Sequence, residues 1–307
     1  MSTRAKVSLS IGVAGLVSLA ACVEKPMRTV VKAEPPMELV ELTGNLGYRT
    51  VVDHPDALGV SGSCRDGAYT WLIAERNHRL LRINGNNQVT SFPLEGIPDA
   101  VDLEGLACKD GRFYISTESD VEQRTGDLVL VVDLDGTGGK VVDVITMHYP
   151  PGMEAGTNQG LEGLCIAGDW LIAAGEILQK DSSGTRQAPI LRQKIGDDNT
   201  FMHWVNLTTD TGKISGIDCR MRSSRIEVFA VERHFEVCRL LQFDLGDEPS
   251  EAKRVVELAH IVREGDNFES LLVDDEGYAR LSNDNQYIKI SGATEETMLT
   301  PIRGFAR

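Results

Sequence analysis

Basic residues are scarce in this 307-residue chain: 31 Lys and Arg stand against 46 Asp and Glu, a formal net charge of −15. A surface so poor in cations does not recruit phosphate backbones or anionic lipid, which argues against nucleic acid as a partner and is compatible with binding cations. Helical signal is missing too. Between residues 38 and 290 no stretch carries the spacing of a long amphipathic helix. There is no Cys-x-x-Cys, no Gly-x-Ser-x-Gly elbow, no P-loop and no His-x-x-x-His pair, and the six histidines are scattered. Those absences remove the commonest zinc, serine-hydrolase and nucleotide-hydrolase chemistries. What remains is ordinary for a globular protein: 41% hydrophobic and 25% charged residues, enough for a sizeable core.

Residues 1–21 stand apart. Arg4 and Lys6 precede an apolar stretch of small residues, the pattern of a secretory signal and too short to span a membrane as a helix. The ending Leu19-Ala20-Ala21-Cys22 resembles the bacterial lipobox, in which the cysteine is lipidated and becomes the first mature residue. Plain cleavage after Ala21 is the alternative. The expectation is an exported chain anchored in a membrane through Cys22. Val23 after the cysteine favours the outer membrane, facing the periplasm. Residues 22–37 contain Pro26, Pro35 and Pro36 with no periodicity and read as a tether, leaving 38–307 as the folded domain.

Beyond Cys22 the cysteines are Cys64, Cys108, Cys165, Cys219 and Cys238, an odd number that leaves at least one thiol unpaired in a monomer. Export makes disulfides possible. The pairing expected is Cys219 with Cys238.

The folded region repeats itself. Five segments read as a short strand, a turn and a second strand: "LGVSGSC-RDGA-YTWLIAE" (58–75), "DLEGLAC-KDGR-FYISTE" (102–118), "GLEGLCIAG-DWLIAAGE" (160–176), "KISGIDC-RMRSSR-IEVFAVE" (213–232) and "NFESLLV-DDEGY-ARLSND" (267–284). The turns carry Asp-Gly, Gly-Asp or Ser-Ser, as tight hairpins require. Two further strand-like runs follow most hairpins, such as "DLVLVVDLD" and "KVVDVITMH" after the second. Taken at 60, 104, 162, 215 and 269, the units are 44, 58, 53 and 54 residues apart. Four-stranded units at that period are the signature of a β-propeller. The expected class is therefore all-β, a propeller with five visible repeats. The strands of residues 38–53 either complete the last blade or belong to a sixth. "DLDGTGG" (133–139) has the look of a Ca²⁺ loop but Val144 occupies the twelfth position, so it reads as a hairpin turn.

Acids recur at the open ends of these hairpins. In a hairpin the paired residue numbers have a constant sum. That places Glu104 opposite Glu118, Glu162 opposite Glu176, Ser215 opposite Glu232, Val60 opposite Glu75, and Glu269 opposite Asp284 or Asn285. The first strand of each propeller blade lines the central channel, so these acids gather at one mouth. Like charges so placed raise one another's pKa. Three outcomes are open. The ring holds a hard cation such as Ca²⁺, with Glu104, Glu162, Glu269, Glu118, Glu176 and Asp284 as ligands. It is compensated by Arg76, Arg79, Arg233, His78 and His234. Or its members accept backbone N–H bonds from neighbouring blades.

The strings "DLEGLACKDGRFYISTES", "NQGLEGLCIAGDWLIAAGE" and "NFESLLVDDEGYARLSNDNQYIKI" resemble the phytase-like, or esterase-like, β-propeller family of secreted bacterial proteins over roughly residues 56–290. The resemblance implies an exported propeller with a Ca²⁺ site near its axis. In active members the metal holds a phosphate or lactone oxygen and activates water. This sequence departs from that pattern in lacking a dense Lys/Arg phosphate site, and in having Val60 and Ser215 where acids are expected. The expected function is a Ca²⁺-dependent hydrolase of a small anionic substrate, a phosphoester or lactone. Arg76 and Arg233 would bind the substrate, and His78 and His234 would serve as acid or base. The alternative is a non-catalytic envelope propeller that binds a protein or glycan.

Overall fold

The computed structural model describes residues 50–51, 58–75, 77–234, 237–246, 249–258, 267–284, 298–302 and 305. All of them belong to one compact unit, residues 33–307. The leader, Cys22, the tether, Arg76 and Asn285 lie outside the described residues.

Every regular element among the described residues is a strand. The first, β1 (Thr50–Val51), joins a blade built from the far end of the chain. Blade 1 follows as β2 (Val60–Asp66), β3 (Tyr69–Ala74), β4 (Arg79–Ile83) and β5 (Val89–Glu95). Blade 2 is β6 (Val101–Lys109), β7 (Arg112–Ser119), β8 (Gly126–Leu134) and β9 (Gly139–His148). Blade 3 is β10 (Leu161–Ala167), β11 (Trp170–Gly175), β13 (Arg186–Lys194) and β14 (Thr200–Asn206), with the two-residue β12 (Gln179–Lys180) paired to β13. Blade 4 is β15 (Lys213–Arg222), β16 (Arg225–His234), β17 (Val237–Leu245) and β18 (Arg254–Glu257). Blade 5 is β19 (Asn267–Val273), β20 (Ala279–Asp284) and β21 (Met298–Ile302), with β1 as its outer strand. Within blades the pairing is antiparallel, and one short parallel contact, Leu94 with Gly139, joins the outer edges of blades 1 and 2. The turn between β8 and β9 is the "DLDGTGG" hairpin, where Asp135 Oδ1 accepts the N–H groups of Thr137 and Gly138.

The inner strands β2, β6, β10, β15 and β19 each lie against the next, and β19 lies against β2. The ring therefore closes with five blades. Thr50 and Val51 pair with Leu299 and Met298 and complete the fifth blade, while residues 38–49, 52 and 53 lie outside the described residues.

Five apolar clusters fill the five seams between blades. Cys64, Trp71, Phe92 and Phe113 pack between blades 1 and 2, and Tyr114, Met147, Leu164 and Leu171 between 2 and 3. Ile172, Val205, Ile217 and Phe243 pack between 3 and 4, and Phe229, Leu240, Phe268 and Phe305 between 4 and 5. Leu58, Val60, Leu81 and Leu299 close the seam between 5 and 1. Alternating apolar side chains on each strand supply both seams of its blade, because successive residues point to opposite faces.

The disulfides correct the expected pairing. Cys64 bonds Cys108, and Cys165 bonds Cys219. Each bridge staples the inner strands of two neighbouring blades, 1 to 2 and 3 to 4. Cys219 cannot reach Cys238. Cys219 pairs across the sheet with Val228, whereas Cys238 lies two strands away on β17, opposite Arg233 at the other end of the blade.

Candidate functional site

The five hairpins form where expected, but none of the five expected pairings of their open ends is observed, because one device recurs in every blade. In all five blades the register between first and second strands shifts at the same place, between Val60 and Gly62, Leu103 and Leu106, Leu161 and Leu164, Ile214 and Gly216, and Phe268 and Ser270. These are β-bulges, in which one strand carries extra residues with no partner opposite. Ser61, Glu104, Glu162, Ser215 and Glu269 occupy the bulges. The first unit's equivalent of Glu104 is thus Ser61, not Val60. Asp102, not Glu104, pairs with Glu118, and Ile214, not Ser215, pairs with Glu232.

Glycine follows four of the five bulged residues, with Ser270 after Glu269 in the fifth blade, and it has a steric cause. A Cβ on Gly105 would lie 2.3 Å from the backbone nitrogen of Leu164, and one on Gly163 would lie 2.6 Å from that of Ile217. Neighbouring inner strands approach too closely here for any side chain. The Glu-Gly pair thus couples a bulge that re-aims a carboxylate with the tightest approach between blades.

Residues one step beyond the bulges form a second layer. Glu75, Glu118, Glu176, Arg233 and Asp284 are equivalent across the five hairpins, facing Gly59, Asp102, Gly160, Lys213 and Asn267. Four blades therefore present an acid, and blade 4 presents two cations. Lys213 Nζ donates to Glu162 Oε1 at 3.1 Å and to Glu176 Oε1. Arg233 Nη2 donates to Glu269 Oε1 across the next seam. Asn267 Nδ2 donates to both Glu269 Oε1, at 2.8 Å, and Asp284 Oδ2, at 3.0 Å.

Glu232 is elsewhere. It is completely buried and accepts four bonds, all within 3.0 Å, from the backbone nitrogens and hydroxyls of Thr208 and Thr209. That segment is the connection from blade 3 to blade 4, so Glu232 braces two blades.

The remaining carboxylates are under strong electrostatic pressure. Burial, followed by the charges of Glu162 and Glu176, pushes Glu118 up to about 8. Burial pushes Glu176 up to about 7, assisted by Glu162 and opposed by Lys213. Burial likewise raises Glu269 to about 7, with Arg233 and Lys213 pulling it down. Glu104 lines the channel, partly open to it yet enclosed by protein. Burial, then Glu162 and Glu75, hold its carboxyl well above the ordinary range. Burial would push the Lys213 ammonium down, but the carboxylates of Glu162, Glu269 and Glu176 more than reverse this.

Oxygens of Glu118, Glu162 and Glu176 lie within 4.8 Å of one another. Glu118 Oε1 is buried with no hydrogen-bond partner among the described residues. An all-carboxylate donor set with one orphaned oxygen suits a hard cation, which takes about six to eight oxygens in irregular geometry. The ligand set expected from sequence is divided by this geometry. Glu118, Glu162 and Glu176 come together with Glu104 close by, while Glu269 and Asp284 sit on the blade 5 side with Asn267 and Arg233. His78 stands exposed near Asp102, whose carboxyl is raised by burial and then by Asp120, and lowered by His78. His234 is exposed at the end of β16. Lys213 and Asn267 were not singled out from the sequence. The signal was present, because "KISG" opens the fourth repeat with a base where "DLEG" opens the second with an acid.

A family model described as "Phytase-like: Esterase-like activity of phytase" matches residues 60–287, from the first inner strand to just past the last hairpin. The chain belongs to the phytase-like family. Solved structures similar to this phytase-like propeller include Myxococcus xanthus glutaminyl cyclase, at 12% identity and TM-score 0.50, covering 83% of this chain and 95% of that one. The Bacteroides ovatus xyloglucan PUL GH43B is similar at 12% identity and TM-score 0.54, covering 83% of this chain and 54% of that one. A GH43_12 protein retrieved from a capybara gut metagenome is similar at 12% identity and TM-score 0.52, covering 82% and 52%. The chain spans about half the length of these two GH43 proteins. At such identity the likeness is one of fold alone. Comparison by sequence with curated proteins gave no match.

Proposed function

We propose that this phytase-like propeller is an exported protein, anchored through Cys22, that binds a divalent cation, Ca²⁺, at the blade 2–3 side of its channel mouth. Glu118, Glu162 and Glu176 would hold the ion, with Glu104 beside them. The observation that carries this reading is that one carboxylate oxygen each of Glu118, Glu162 and Glu176 lie within 4.8 Å of one another, and that Glu118 has a buried oxygen, Oε1, with no hydrogen-bond partner among the described residues. When bound, the ion would supply Lewis-acid polarisation of a phosphoryl or lactone oxygen, and so recruit a small anionic substrate to an otherwise repulsive mouth. Glu104, whose carboxyl is held well above the ordinary range by burial, then by Glu162 and Glu75, is suited to carry a proton beside the ion. The test is a thermal melt with Ca²⁺ and with chelator, joined to hydrolysis of a phosphoester and lactone panel. Ca²⁺ should raise the melting temperature and support hydrolysis that Glu162→Gln abolishes without unfolding the protein. An identical melting temperature in both buffers would remove the cation site.

A second reading has a specific observation behind it. The two described cations of the ring, Lys213 and Arg233, are each engaged by glutamates, so neither is presented to a phosphate. On this reading the propeller is a non-catalytic envelope module for a protein or glycan. It gains if Ca²⁺ stabilises the protein but no ester or lactone on the panel is cleaved, and it fails if turnover is found.

A further inference from the structure

Among the five blades, the fourth is the one that places bases at the register where the others carry acids, glycine or asparagine. Lys213 pairs with Arg233 across this hairpin. The Lys213 ammonium stands at hydrogen-bond distance from two of the three clustered carboxylates, Glu162 and Glu176, and leaves Glu118 Oε1 without a partner. One positive charge is there set among Glu118, Glu162 and Glu176, with Glu104 adjacent. A dication in the same place would attract these oxygens more strongly than a single positive charge does.

The side chain can also leave. Lys213 retains 26% exposure, whereas Glu162 retains 5%. The ammonium rides on a flexible four-carbon stem, while Glu162 is held by its bulge and by the close strand approach at Gly163.

We propose that Lys213 is a tethered competitor for the cation: its ammonium occupies the carboxylate cluster when no ion is bound and must swing out when one is. This rests on the cation site proposed above and deepens it. The consequence is a site tuned weak, with affinity in the range of extracellular modules, about 10⁻⁴–10⁻³ M, although its carboxylate count suits tighter binding. Arg233 is no such competitor, because its guanidinium is committed to Glu269 on the blade 5 side, away from Glu118.

The experiment is calorimetric titration of CaCl₂ into chelator-treated wild type, Lys213→Met and Lys213→Arg at pH 7.5, with circular dichroism checking that each is folded. Lys213→Met keeps the stem and removes the charge, and should bind Ca²⁺ about tenfold or more tighter than wild type. Lys213→Arg should remain near wild type. Should Lys213→Met fail to fold, Lys213→Gln takes its place. Equal or weaker binding by the uncharged variant, with wild type still binding, overturns the competitor role and leaves the cation site standing. Binding by the variant alone supports the competitor role and sinks the reading that the native chain uses Ca²⁺. Absence of binding in every protein overturns both.

Discussion

Asp218 of blade 4 accepts the backbone N–H of Val273 of blade 5 at 2.6 Å. Its partner oxygen accepts the N–H of Cys219. The bond spans the seam between β15 and β19 at the level where Cys64–Cys108 and Cys165–Cys219 staple two other seams. Three residues past their bulges, β2, β10 and β15 carry Cys64, Cys165 and Asp218. A carboxylate thus takes, between blades 4 and 5, the place that sulfur holds between 1 and 2 and between 3 and 4. Asp218→Ala should cost about 1–3 kcal/mol, the range for stranding a buried donor. Chemical denaturation measures it, and a loss under half of that lower bound would contradict the bracing role.

The disulfide pattern has a direct chemical readout. Alkylation of denatured, unreduced protein followed by peptide mapping should label Cys238 and spare Cys64, Cys108, Cys165 and Cys219. Reduction should then lower stability by about 2–5 kcal/mol per bridge, since each closes a loop of 44 or 54 residues. Labelling of Cys165 without reduction would contradict this pairing.

Two glutamates of similar burial should behave oppositely. Glu232→Gln keeps the shape but weakens four accepted bonds, so it should destabilise the fold by about 1–3 kcal/mol and leave Ca²⁺ affinity unchanged. Glu162→Gln removes a charge from the carboxylate cluster and should weaken Ca²⁺ binding. Equal effects of the two variants on a Ca²⁺ titration would erase the distinction between brace and ligand.

Acid at the channel mouth also sets a pH dependence. Glu118 is pushed up to about 8, and Glu176 and Glu269 to about 7, against an ordinary value of 4.5. In that window the folded state holds protons that the unfolded chain has released, so stability falls as pH rises. The contribution is intact below about pH 4.5 and is lost through pH 8. In chelator, the melting temperature should decline steadily from pH 5 to pH 8.5, and Ca²⁺ should restore more of it at pH 8 than at pH 5. A melting temperature that climbs across that range would refute this.

The bulge glycines make the sharpest packing test. Gly105→Ala would push a methyl within 2.3 Å of the Leu164 nitrogen and 2.7 Å of the Gly163 carbonyl carbon. Backbone cannot yield there without moving an inner strand, so a loss of about 1–3 kcal/mol or more is expected, measured by urea unfolding. An unchanged midpoint would mean that the strands are not so close.

Much of this architecture could be read from the chain. Each hairpin announces itself by a turn dipeptide between apolar runs, so "KDGR" and "AGDW" fix strand ends within a residue or two. The acidic mouth was legible for the same reason. What could not be read was the bulge, because an extra residue on one strand leaves no mark in the alternation on the other. It moved Glu232 out of the ring and put Arg233 into it. Lys213 was missed because a lone lysine at a strand start looks like any solvated charge until its neighbours in space are known. The cysteines misled because sequence proximity favours Cys219 with Cys238, while a propeller brings together residues one blade apart.

Thr50 and Val51 are held to Leu299 and Met298 by a ladder only two residues long. Folding can complete the other four blades from local hairpins, but the circle joins only when segments from near both ends of the sequence have met, the most costly loop closure in the molecule. Any tension applied through the segment before Thr50 acts on that ladder first.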